Sequence, residues 1–208
     1  ESIYLKSAIL LFYDVMQNED NDRTGRFHYT IYNTKKGLTM MDFIEIAKKR
    51  YSVRRYSNRK VEKEKLDKIL QAANRSKLQP IHLIVAEQKE SLKKLEKAAN
   101  IYGAPLAILV CADHRKAWVR PFDQKQTGDI DASILTDHMM LQATELGLGS
   151  VWVCYFKPDV IRKEFELPDY LEPVNLLLIG YSDEQPADPN RHEQTRHPLS
   201  SLISYEKL

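Results

Sequence analysis

An α+β fold is what this sequence predicts, from three observations. Stretches with apolar residues at helical spacing alternate with short, continuous apolar runs of strand length. The two types follow one another without strict β-α-β regularity, which favours α+β over a doubly wound sheet. The 208-residue length, with 43% hydrophobic and 29% charged residues, suits one globular domain with a sizeable core.

In chain order, Asp42 with Glu45 three residues on reads as a capping box that starts a short amphipathic helix carrying Phe43, Ile46 and Ala47. Residues 61–74 place Leu66, Ile69, Leu70 and Ala73 on one helical face. Residues 81–86 read as a buried strand. Residues 90–100 read as a charged amphipathic helix that ends near Gly103. Pro105 opens a second strand over 106–112. Residues 113–128 form a long connection holding Trp118, Arg120, Pro121 and Phe122, and long loops in compact domains are often functional. Residues 129–146 carry Ile130, Ile134, Leu135, Met139, Leu141 and Leu146 on most faces, so this helix is expected to be central and buried, with Gly147 as its C-cap. A strand over 151–156, a helix over 158–165 and a strand over 174–181 complete the set.

Composition excludes several function classes. A formal net charge of +2 argues against a nucleic-acid binder that relies on bulk charge, leaving only the local cluster 48–60 in favour of one. Cys111 and Cys154 form neither a disulfide framework nor a C-x-x-C metal motif, and a reduced, cytoplasmic setting is expected. No apolar run approaches the roughly 20 residues that span a bilayer, so a soluble protein is expected. Neither a G-x-G-x-x-G nor a P-loop pattern occurs among the seven glycines. The six histidines lack metal-ligand spacing. His138 is expected to make a core hydrogen bond, and His192 and His197 to lie in an exposed polar tail. Asp129 and Asp131 suit the start of a helix better than acid/base work. Residues 1–40 read apart from the rest, with a possible helix over 3–16 and an alternating segment over 27–32. They are expected to be an extension without a role rather than an arm around a partner subunit, with the functional domain at 41–208.

The richest segment is Arg50-Tyr51-Ser52-Val53-Arg54-Arg55-Tyr56. Alternate residues of an extended chain point the same way, so Arg50, Ser52 and Arg54 can converge on one ligand. Guanidinium forks match phosphate oxygens, and a hydroxyl adds a further bond. A solvated basic loop has the same composition, and spacing alone leaves both readings open.

This segment resembles the R-x-S-x-R motif of the nitroreductase-like, FMN-dependent oxidoreductases. Four further segments resemble that family in the same order: Gln79-Pro80, Glu145-Leu146-Gly147-Leu148-Gly149-Ser150-Val151-Trp152, Pro173-Val174 leading into Leu176-Leu177-Leu178-Ile179-Gly180-Tyr181, and Arg196-His197-Pro198-Leu199. The resemblance implies a mixed, mainly antiparallel sheet flanked by helices in an intertwined homodimer, with FMN at the subunit interface. It implies cofactor contacts at Arg50, Tyr51, Ser52, Arg54, Gln79, Gly149, Val153, Cys154 and Arg196. Arg50 and Ser52 would hold the phosphate side, Arg196 would add a cation there, and Arg54 would lie at the N1/C2 edge of the ring. A fixed cation at that edge stabilises the charge that reduction leaves behind. NADH or NADPH would dock transiently as hydride donor, and a nitroaromatic, quinone or similar small molecule would accept the electrons. No side chain need be a nucleophile. The partners implied are the acceptor and a second subunit, with no nucleic acid and no membrane.

The chain departs from the resemblance before Gln79, where residues 73–78 are shorter than the family's usual loop and Asn74 or Ser76 reads as a turn or cap residue. Cys154 stands where relatives have Gly or Glu, and a buried packing thiol is expected there over a redox role. Trp118 and Phe122 suit either stacking on an aromatic acceptor or packing at a dimer interface. The alternatives are a flavin-binding module without turnover and a family member acting on another acceptor, such as a halogenated aromatic. A single-strand nucleic-acid binder using Tyr51 and Tyr56 is more remote.

Overall fold

Asp42 starts the first helix, α1 (Phe43–Lys49), by accepting a hydrogen bond from the Ile44 amide at 3.3 Å. Only half of the expected capping box forms, because Glu45 turns toward Lys48 at 3.4 Å. The computed structural model describes residues 42–74 and 80–207. The expectations for residues 1–40, Ser76 and Gln79 lie outside the described residues. The elements that follow are α2 (Lys63–Ala73), β1 (Ile81–Ala86), α3 (Lys89–Glu96), β2 (Leu106–Asp113), α4 (Gly128–Glu145), β3 (Gly149–Val153), α5 (Pro158–Glu164), β4 (Leu171–Gly180), α6 (Arg191–Thr195) and a 3-10 turn at Leu199–Ser201.

The α+β expectation holds. The strands form one sheet in the order β1-β2-β4-β3, with every neighbouring pair antiparallel. The parallel component is an isolated bridge between Ser52 and Ser150, which lays the arginine-rich segment along β3. Strand β2 is buried along its whole length, as its unbroken apolar run requires. One sheet face, with Ile108, Val110, Leu177 and Ile179, packs against Ile69 of α2 and against Leu135 and Met139 of α4. The other, with Ala107, Leu109, Leu176 and Leu178, packs against Leu95 of α3 and Ile161 of α5. The result is a helix-sheet-helix sandwich around two apolar layers.

Boundaries differ from the sequence expectation where side chains face both layers. Strand β3 begins at Gly149 and ends at Val153, earlier than expected at both ends. Strand β4 begins at Leu171 and tolerates Pro173 because β2 breaks register between Val110 and Cys111, opposite that proline. Gly147 takes a positive φ of 75° and ends α4, as expected. Asn74 caps α2.

The expectation of a fully buried α4 is corrected. Its inner face meets the sheet, but Ile130 and Ile134 are 46% and 49% exposed. His138 continues that outer stripe one turn on and is exposed, so it is not a core hydrogen-bonding residue. Apolar residues on most faces describe a helix with one sheet-facing side and a second apolar side that the single chain leaves open. Asp129 sits in the first turn of α4, its carboxylate accepting from the Ile130 amide at 3.0 Å. The connection after β2 is not shapeless. Val119 bridges Gln126, and the Arg120 amide donating to the Lys125 carbonyl and the Gln124 amide donating to the Arg120 carbonyl, each at 2.9 Å, close a small hairpin whose tip exposes Phe122. No helix among the described residues is long and apolar enough to cross a membrane.

A polar latch ties the end of β4 to α2. The Tyr181 hydroxyl donates to Glu62 at 2.6 Å, Arg59 donates to the same carboxylate at 2.6 Å, and Lys65 reaches the Tyr181 oxygen at 3.0 Å and the Leu146 carbonyl at 2.9 Å. The Tyr181 bond first, then Arg59, pulls the Glu62 pKa from 4.5 to about 2. A carboxylate depressed in the folded state contributes stability that is whole above its unfolded pKa and is lost as pH falls through the folded one. Tyr181→Phe is therefore expected to shrink the drop in melting temperature between about pH 6 and about pH 3. Melting curves of both proteins at the two pH values check this.

Candidate functional site

The arginine-rich segment lies between β3 and the chain that leaves β4. The Val53 amide donates to the Ser150 carbonyl at 3.0 Å, the Ser57 amide to the Tyr181 carbonyl at 2.9 Å, and the Asp183 amide to the Arg55 carbonyl at 3.1 Å. Val53 and Tyr56 are the buried pegs of the segment, and Ser52 and Arg54 flank Val53 on the less buried side. The alternation expected around Ser52 and Arg54 is therefore present. The Tyr51 hydroxyl lies 3.1 Å from that of Ser182, while its ring packs on the core.

Gly149 fixes how closely segment and strand approach. A Cβ there would stand 2.6 Å from Val53 Cγ2, well inside contact distance. The resemblance implies a cofactor contact for this glycine. The structure supplies an internal cause, the packing of Val53 on β3.

Arg50 is the C-cap of α1, and its carbonyl accepts from Arg191 Nη2 at 2.7 Å. Arg191 Nη1 also donates to the Lys48 carbonyl at 3.0 Å and to that of Asp188 at 2.9 Å. Helix α6 thus docks on the C-terminal end of α1 and carries His192 and Arg196 with it. Arg196 Nε lies 3.4 Å from His192 Nδ1. Burial lowers the Arg50 pKa most, Arg191 and Arg196 lower it further, and Asp137 opposes them. The His192 pKa is lowered too, by burial first and then by Arg191, Arg196 and Arg50. Arg191 and Arg196 thus disfavour positive charge on both Arg50 and His192.

Among the described residues, none of Arg50, Arg54, Arg191 and Arg196 forms an ion pair with a carboxylate, whereas Arg59, Arg115, Arg120 and Arg162 each do. Arg54 in particular has no such partner among the described residues. Its guanidinium reaches the Ser52 carbonyl at 3.5 Å, and its own amide is held by Glu184 at 3.1 Å. A cluster of arginines without carboxylate partners is built for an anionic ligand carrying several acceptor oxygens.

The structure thus brings Arg50 and Arg196 together and sets Ser52 and Arg54 along the same segment. Val153 sends its side chain into the core, leaving only its main chain to face a ligand. Cys154 follows β3 and is exposed, and the buried thiol is Cys111, so the expected packing role for Cys154 is corrected. The strand ends at Val153, and the chain turns outward before Phe156 re-enters the core. Trp118 and Phe122 are exposed on their hairpin.

Sequence reading missed Arg191, and its expectation of an exposed His192 is corrected, because His192 is half-buried on α6 while His197 is exposed. The available signal for Arg191 was its position one helical turn before Arg196; a polar tail disguised it. If an anion fills this cluster, His192 gains a favourable partner and its lowered pKa must rise. Proton NMR of the His192 ring should show titration below pH 6.5 without flavin, and at higher pH once FMN is added.

The nitroreductase family model matches residues 47–101 and 93–181. The chain belongs to the nitroreductase family. The match spans the four segments expected between residues 50 and 181, with the Arg196 segment beyond it, and the fold agrees with solved members. A nitroreductase family protein from Clostridium difficile 630 is 64% identical, covering 81% of this chain and 100% of that one, with a TM-score of 0.79. An FMN-dependent nitroreductase from Clostridium difficile R20291 is 34% identical, covering 79% of this chain and 99% of that one, with a TM-score of 0.66. The FMN reductase [NAD(P)H] of Bacillus subtilis strain 168 is 28% identical over 76% of this chain and 73% of its own length.

Proposed function

We propose that this nitroreductase-family chain is an FMN-dependent oxidoreductase that draws on NADH or NADPH and reduces a small molecule such as a nitroaromatic or quinone. The observation that carries this reading is the docking of the helix bearing Arg196 on the Arg50 end of α1, two guanidinium groups without carboxylate partners among the described residues. Those residues fit a phosphate monoester, whose oxygens take several charge-assisted hydrogen bonds at once. The names of the Clostridium difficile R20291 and Bacillus subtilis relatives support FMN and NAD(P)H.

FMN, when bound, supplies the hydride and electron chemistry, and the protein supplies binding, orientation and electrostatics. Arg50, Ser52 and Arg196 would hold the phosphate, and Gln79 and the main chain at Val153 and Cys154 would contact the rest of the cofactor. Gly149 sets the distance between that strand and the arginine segment. Tyr51 braces the segment through Ser182. Arg54 would supply a fixed positive charge that stabilises the negative charge of the reduced cofactor. Phe43 and Ile44 of α1, Ile130 and Ile134 of α4, and Leu199, Leu202 and Tyr205 near the C-terminus are all exposed in the single chain. Apolar exposure on this scale supports a homodimer that covers it and completes the flavin site.

The test is anaerobic. Purified protein loaded with FMN should bleach when NADH or NADPH is added under nitrogen, and colour should return with a nitroaromatic or quinone. Persistent yellow colour with both nucleotides would leave a flavin binder without turnover. Arg54→Ala should make the bound flavin harder to reduce, by roughly 30 mV or more, about 1.4 kcal/mol for a two-electron couple. An unchanged midpoint potential would remove Arg54 from the ring edge.

A further inference from the structure

We propose that Arg191 is a positioning residue for phosphate recognition, setting the distance between the two halves of the anion site without itself binding the anion. The proposal rests on the reading of the basic cluster as the FMN phosphate site. Its basis is how the Arg191 guanidinium is used. Nη1 donates to the carbonyls of Lys48 at 3.0 Å and Asp188 at 2.9 Å, and Nη2 donates to that of Arg50 at 2.7 Å. A guanidinium has five N–H donors in a fixed plane, and here three are spent on main-chain oxygens. Two of those oxygens belong to the last turn and C-cap of α1, where unsatisfied carbonyls and the helix dipole both favour a cation. The third is the turn that opens α6, which ties the fork to its own helix.

One side chain therefore joins two distant stretches of sequence. On the α1 side it grips the main chain of Arg50 itself, so it governs where that guanidinium starts. On the α6 side it anchors the helix on which His192 and Arg196 follow within about a turn. Arg50 feels both Arg191 and Arg196, so the halves are already within electrostatic range. Without the fork, repulsion between Arg50 and Arg196 would push α6 away from α1. A charge placed only to attract phosphate would not need three carbonyls, and a lysine could supply it. A planar fork spanning residues 48 and 50 is a geometric requirement that only arginine meets.

The experiment compares FMN with riboflavin, which lacks the phosphate, on flavin-depleted full-length protein, by quenching of flavin fluorescence. The proteins are the parent chain, Arg191→Lys, Arg191→Met and Arg50→Gln, each first checked by circular dichroism and thermal melting. Both Arg191 variants should weaken FMN about tenfold or more while riboflavin changes by less than about twofold, a selective loss of phosphate recognition. Riboflavin binding serves as the folding control, since general damage to the domain weakens both ligands. The proposal is overturned if Arg191→Lys binds FMN like the parent, because Arg191 would then act through charge alone. It is equally overturned if both variants weaken FMN and riboflavin in parallel, or if neither alters FMN. Arg50→Gln separates this from the reading beneath it. If that variant leaves FMN unchanged, or if the parent binds FMN and riboflavin equally, the phosphate does not sit in this cluster at all.

Discussion

Arg50→Gln is expected to raise the FMN dissociation constant by about 10- to 150-fold, the range for losing a charge-assisted hydrogen bond of about 1.5–3 kcal/mol. Arg50 is chosen because burial, Arg191 and Arg196 all disfavour its charge while only Asp137 supports it. A cation kept under such conditions repels its neighbours until an anion arrives, and the anion recovers that repulsion as well as its own hydrogen bonds. Gln preserves length and polarity but removes the charge and the fork. Thermal stability should hold or rise slightly, because the repulsion also disappears. Arg120→Gln is the matched control, since Arg120 pairs with Asp123 on the outlying hairpin. Fluorescence titration of flavin-depleted protein gives all three constants, and equal affinity for the Arg50 and Arg120 variants would remove Arg50 from the site.

The second large effect is expected at Gly149. Gly149→Ala places a Cβ 2.6 Å from Val53 Cγ2 and 3.1 Å from Val53 Cβ, and the latter is close to the main chain and cannot swing away. Overpacking of this kind costs about 1–3 kcal/mol. For a chain of this size that corresponds to a fall in melting temperature of about 2–4 °C per kcal/mol. The affected contact is not remote from function. Val53 lies between Ser52 and Arg54, and its amide bonds the Ser150 carbonyl at 3.0 Å, so displacing Val53 displaces both polar neighbours. FMN affinity should fall with stability. Adding Val53→Ala should restore part of both losses, because the smaller side chain makes room for the new Cβ. A double-mutant cycle measures that coupling, and strict additivity would show that Gly149 is required for another reason.

Much of the fold was legible in the sequence because its signals are local. The continuous apolar runs at Ile81–Ala86 and Leu106–Asp113 have strand length, and Gly147 stops α4 where only a positive φ continues the chain. What failed depends on tertiary context. The outer stripe of Ile130, Ile134 and His138 reads as core, because periodicity records apolarity and not which protein surface will cover it. Cys154 follows a strand whose end is set by pairing with β4, and pairing length is not written in residues 151–156. In the site, Arg50, Ser52 and Arg54 were found from alternation, and Arg196 only through its Pro198-Leu199 context. Arg191 escaped and His192 read as exposed because their significance arises when α6 meets the end of α1, residues more than a hundred positions apart. Gly149 was expected only as a cofactor contact, and the visible need for glycine there comes from Val53.

The most direct test of the whole account is a crystal structure of the FMN-loaded protein. The phosphate is expected within hydrogen-bond distance of Arg50 and Arg196, with the Arg191 fork still on the carbonyls of residues 48 and 50 and the polar edge of the ring beside Arg54. A phosphate bound away from this cluster, with Arg50 and Arg196 left in solvent, would contradict it.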